Sequence, residues 1–164
     1  MIENNTDELI AHIQHLSEMV CSAQKKNKKN ELNKSENKQV ELIAASGLFD
    51  TNWYLKNNKD VLLTPSACAD PVAHFVKSGA REGRAPNKYF QPHWYLATYP
   101  DVAEKGINPL IHFIEHGAKE LRNPGPDFNT SFYLEYNPDL RGIESNLLNH
   151  FIFFGEKEGR KAKP

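Results

Sequence analysis

Cysteine is scarce in this sequence: Cys21 and Cys68 are the only two in 164 residues. Two thiols far apart supply neither a disulfide framework nor the paired ligand spacing of a structural zinc site, so a reducing compartment is expected. Charge of one sign is lacking too. Twenty Lys and Arg stand against twenty-one Asp and Glu, a net charge of -1, which excludes a whole-protein electrostatic role on nucleic acid or anionic lipid. No apolar run approaches the ~20 residues of a membrane span. The opening MIENNTDELI places acids where a secretory signal needs cations, and no lipidation motif is present. The expectation is a cytoplasmic chain, or one exported without a classical signal.

Aromatic residues are missing from everything before Phe49 and dense after it, which divides the chain. Within 1–23, Leu9, Ile13, Leu16 and Val20 recur at three- and four-residue steps with Ile10 and Met19 alongside, and Thr6 or Asp7 suits an N-cap. This spacing predicts an amphipathic helix whose apolar stripe needs a partner, either the rest of the chain or a coiled-coil mate. Residues 24–39 carry a Lys- and Asn-rich run with a single Leu, too polar to offset chain entropy by burial, and read as a flexible linker. Without interleaved aromatics this basic run is not a nucleic-acid site.

The chain is 39% hydrophobic, enough for a globular core, and residues 40–164 form that globular part, organised as a repeat. Three segments of about 38 residues, 49–88, 90–126 and 128–164, align along most of their length. They begin FDTNWYLKNNKDV, FQPHWYLATYPDV and FNTSFYLEYNPDL. Recurring together are Trp53, Trp94 and Phe132; Tyr54, Tyr95 and Tyr133; Asp60, Asp101 and Asp139; His74, His112 and His150; Gly79, Gly117 and Gly155; Arg84, Arg122 and Arg160. The Asp-to-His interval is 14 in the first copy and 11 in the others, so the first copy carries an insertion near Thr64 to Cys68, expected in a loop.

Each copy predicts two helices. Asp50 and Asn129 stand as N-caps of the first helix, Pro92 sits at a first helical position, and the Phe before each cap is placed to meet Tyr54, Tyr95 or Tyr133 as a hydrophobic staple. Asp70-Pro71, Asn108-Pro109 and Asn146 open the second helix. Leu110, Phe113 and Ile114 form its stripe, with Gly117 one turn on either ending the helix or admitting a second backbone. A helix pair this short leaves apolar surface open, and stacking three copies closes it. The fold class expected is all-α: an amphipathic helix, a linker, and three tandem helix pairs stacked as a short solenoid. The third copy also carries Leu147, Phe153 and Phe154 on the opposite face, for the N-terminal helix to cover or for solvent.

The combined pattern FDxxWYLxxNPDV and NPLxHFxxxGxxEGRxP resembles a tandem repeat found beside the catalytic domains of bacterial surface-polysaccharide glycosyltransferases, and in large secreted proteins of the calcium-repeat type. The resemblance runs from Phe49 to Arg160 and is strongest in the middle copy. Departures are Asn58-Lys59 for Asn-Pro, Leu121 for Gly, and Phe132 for Trp. What it implies is a non-catalytic interaction or targeting module of O-antigen or capsule synthesis, accessory to a glycosyltransferase or forming its N-terminal part. A glycan-binding module and a fragment of a secreted repeat protein are the alternatives.

The candidate binding residues are Trp53, Tyr54, Trp94 and Tyr95, whose rings suit sugar faces, and Arg84, Arg122 and Arg160, whose guanidinium forks suit carboxylate or phosphate. Asp60, Asp101 and Asp139 read as turn caps or loop clips. His74, His112 and His150 read as hydrogen-bonding scaffold residues, since stacked repeats set them too far apart to share one metal ion. No βαβ alternation, Gly-rich phosphate turn, Asp-x-Asp pair or Ser-His-Asp arrangement is present. The chain alone is therefore expected to catalyse nothing and to need no cofactor. Its expected partner is another protein of a polysaccharide-synthesis assembly, or a second copy through the N-terminal helix, with glycan as a further ligand and nucleic acid excluded.

Overall fold

A computed structural model of the chain describes residues 2–24, 34–142 and 146–164, and the side chains of these apart from 2–5 and 21–24. The fold is all-α: among the described residues helices form every regular element, beside one isolated bridge between Gly125 and Phe128. Helix α1 spans Ile2–Gln24 and α2 spans Lys34–Ser46. The first copy contains α3 (Thr51–Asn57), α4 (Lys59–Leu62), α5 (Pro65–Ala69) and α6 (Pro71–His74). The second contains α7 (Pro92–Thr98), α8 (Pro100–Glu104) and α9 (Pro109–His112). The third contains α10 (Thr130–Tyr136), a 3-10 turn over Pro138–Leu140, and α11 (Leu147–His150).

The helix starts follow from side-chain chemistry. Asp50 accepts from the Trp53 amide and Asn129 from that of Phe132, while Gln91 precedes Pro92 at the first position of α7. The preceding Phe rings lie against the Tyr of the same helix, with centroids 4.9 Å apart for Phe49 and Tyr54, 5.4 Å for Phe90 and Tyr95, and 5.2 Å for Phe128 and Tyr133. Asp70, Asn108 and Asn146 cap the second helices through their side-chain oxygens.

Two expectations for the N-terminal region change. The linker assigned to 24–39 loses both ends, because Gln24 belongs to α1 and Lys34 to Gln39 form the first turns of α2; residues 25–33 lie outside the described ones. Helix α2 packs against α6, the turn after it, and α9, with Ile43 fully buried and Val40 half-buried. That tertiary contact, and not propensity, stabilises a sequence too polar to hold a helix alone. In α1 the buried positions are Ile10 and Ser17, with Ile13 half-buried, whereas Leu9, Leu16, Met19 and Val20 are exposed. The apolar face is wider than the surface the chain offers it.

That surface is largely the insertion of the first copy. It forms the short helix α5 where a loop was expected, buries Cys68, and gives α1 its principal contact. Thr64 and Pro65 open it as N-cap and first helical residue. Among the described residues α1 has its main contacts with the first copy, not the third. The third copy's Asn149 amide donates to the Ser46 carbonyl at the end of α2, Phe153 lies beside Gly47, and Phe153 and Phe154 keep about half their surface exposed. It also reaches the joint between the first two copies: Glu156 accepts from the Tyr89 hydroxyl at 2.7 Å and from Lys88 at 3.1 Å, and Tyr89 meets Phe151 edge-on at 5.2 Å.

Candidate functional site

The recurring polar residues come together inside each copy, in two constellations built three times. The first joins the opening helix of a copy to its last, α3 to α6, α7 to α9 and α10 to α11, with further short helices between them in the first two copies where two helices per copy were expected. Tyr54 Oη lies 3.0 Å from His74 Nδ1, Tyr95 Oη lies 3.0 Å from His112 Nδ1, and Tyr133 Oη lies 2.9 Å from His150 Nδ1. All three Tyr rings are closed to solvent. Burial pushes all three phenols above their usual range, so each stays protonated and can donate to the Nδ1 that faces it. Burial, followed by the neighbouring Arg charge, also lowers the pKa of His74 and of His112.

The space for that hydroxyl is made by glycine. After each His the helix widens into a π turn, over Phe75–Gly79, Phe113–Gly117 and Phe151–Gly155. The amide five residues on bonds to the Phe carbonyl at 2.8 to 2.9 Å in all three. A β-carbon on Gly79, Gly117 or Gly155 would collide with the hydroxyl of Tyr54, Tyr95 or Tyr133 respectively. The glycine therefore admits a side chain from the paired helix, where the sequence suggested an end or a second backbone.

The second constellation follows from how each π turn ends. Arg84 N–H donates to the Gly79 carbonyl and Gly83 N–H to the Ala80 carbonyl, and Gly83 takes φ +73°. This is a Schellman termination, which requires a left-handed residue just before the Arg. Leu121 and Gly159 hold the same place with φ +54° and +71°. The turn aims each Arg back at the Asp of its own copy. Arg84 clasps Asp60 through two bonds of 2.8 Å, Arg122 clasps Asp101 through two of 2.9 Å, and Arg160 Nη1 reaches both oxygens of Asp139 at 2.9 and 3.1 Å. Glu82, Glu120 and Glu158 accept from the respective Nε groups. The Arg hydrogen bonds hold all three Asp carboxyls below their usual range.

One position tells the copies apart. Asn58 and Asn137 accept from Arg84 and Arg160 while donating to the Tyr54 and Tyr133 carbonyls. In the second copy Tyr99 stands there, its ring 4.8 Å from the Arg122 guanidinium, a cation–π contact in place of a hydrogen bond.

This geometry decides what each candidate can do. Tyr54 and Tyr95 cannot stack on a ligand, because their rings are fully buried. Arg84, Arg122 and Arg160 already hold two carboxylates each, which fills the fork meant for a ligand. Trp53 and Trp94 are half-buried, Trp94 edge-on to Tyr99. His112 is 4% exposed, beside the Tyr95 of α7. Its hydrogen-bond partner is Tyr95. Among the described residues no group of three or more His, Cys, Asp or Glu is gathered to hold a metal ion, and no helix is long and apolar enough to cross a membrane. Sequence reasoning singled out the recurring Tyr, His, Gly, Asp and Arg but not the Tyr–His pairing; the signal was the joint recurrence of Tyr, His and Gly in one frame. The Tyr89, Lys88 and Glu156 contact had no such signal, since its members do not recur. No protein-family model, curated protein or solved structure matches the chain.

Proposed function

We propose that this chain is a non-catalytic interaction module of bacterial surface-polysaccharide synthesis, acting in the cytoplasm beside a glycosyltransferase or as the front part of one. Its three helix pairs stack as a short solenoid, wound tightly enough for the third to touch the joint between the first two. The observation that carries the non-catalytic part is the use of the recurring Tyr, His, Asp and Arg side chains on one another, copy by copy. The observation that carries the interaction part is the exposed apolar stripe of Leu9, Leu16, Met19 and Val20 on α1, since such surface on a folded chain is a place for a partner. The association with polysaccharide synthesis rests on the repeat pattern alone.

The test is calorimetric titration of the chain against glycosyltransferases from surface-polysaccharide gene clusters of its own genome. Binding that is lost in a Leu9→Glu, Leu16→Glu variant with an unchanged melt supports the reading. A second reading, glycan binding, is favoured by Phe132 and Tyr136, whose rings stack at 4.2 Å with Tyr136 66% exposed. Binding to immobilised polysaccharide that falls on Tyr136→Ala, with no heat from any glycosyltransferase, would put it first.

A further inference from the structure

No further inference is drawn: the strongest candidate, the exposed apolar stripe of Leu9, Leu16, Met19 and Val20 on α1, already belongs to the proposed interaction surface, and nothing in the structure shows what covers it.

Discussion

The hydroxyl of Tyr95 occupies the space that a β-carbon on Gly117 would fill, and the same hydroxyl bonds to His112 on the turn before. One atom thus fixes how closely α7 and α9 approach. Gly117→Ala must expel the hydroxyl or shift the π turn, at a cost of about 2 to 3 kcal/mol. Tyr95→Phe removes the obstruction but leaves the imidazole without its partner, at about 1 to 2 kcal/mol. The two changes are therefore non-additive, and the double variant should lie well short of the summed cost in urea unfolding. Strict additivity would mean that the hydroxyl and the glycine do not compete for the same space.

Acid should weaken the fold in two stages. His74 and His112 titrate below the ordinary imidazole value of about 6.5, so the unfolded chain binds more protons as pH falls past that value. Their contribution is complete above about pH 6.5 and is lost as pH falls through the lower values they have in the fold. Asp60, Asp101 and Asp139 are also held low, by Arg84, Arg122 and Arg160, and their contribution is present above the ordinary carboxyl value of about 3.9 and lost below it. Melting temperatures across this range should fall in both windows, and a His74→Gln, His112→Gln variant should show a flatter upper limb. An unchanged upper slope in that variant would assign the first stage to other groups.

The left-handed residue before each Arg gives a sharper comparison. Gly159 has φ +71° and open space within 4 Å of where a β-carbon would stand, whereas a β-carbon on Gly83 would strike the His93 ring of the next copy. Gly159→Ala should cost about 1 to 2 kcal/mol for the backbone alone. Gly83→Ala should cost more, because the ring must also move. Equal costs would show that His93 yields freely. Leu121 already bears this backbone cost, and the place that His93 takes in the second copy falls to the smaller Ser131 in the third.

Local elements of this fold were legible because their causes are local. The caps at Asp50, Asp70, Asn108, Asn129 and Asn146 act within three residues, and the Phe–Tyr staple within five. The Schellman ending was present as Glu-Gly-Arg in the first and third copies, but what the Arg grips lies 21 to 24 residues away. The Tyr–His pairing spans 17 to 20 residues and depends on how two helices cross, which a stripe of one helix does not encode. The early turns of α2 and the turn of α5 escape a local reading for the same reason. Each is a weak helix former held by a neighbour distant in sequence.

The third copy should contribute to the whole, not stand as an appendage. Ending the chain at Arg122 removes Phe151 from the Tyr89 ring, Glu156 from Lys88 and Tyr89, and Asn149 from Ser46. Calorimetry of that truncation should show a lost or strongly broadened transition, as nearest-neighbour coupling between repeats requires. A sharp transition at unchanged temperature would mean that the copies fold independently. Glu156→Ala is the milder version, with an expected loss of about 1 kcal/mol.

Thermal melting of the unaltered chain and of His112→Ala, each with added zinc and with chelator, tests most directly whether the repeated polar residues are scaffold. Removing the imidazole strands the buried Tyr95 hydroxyl and should cost about 1 to 3 kcal/mol. Zinc and chelator should leave both melts where they were. A melting temperature that climbs with zinc in the unaltered chain, drops with chelator, and ceases to respond in His112→Ala would contradict the scaffold account and assign the histidines to a metal.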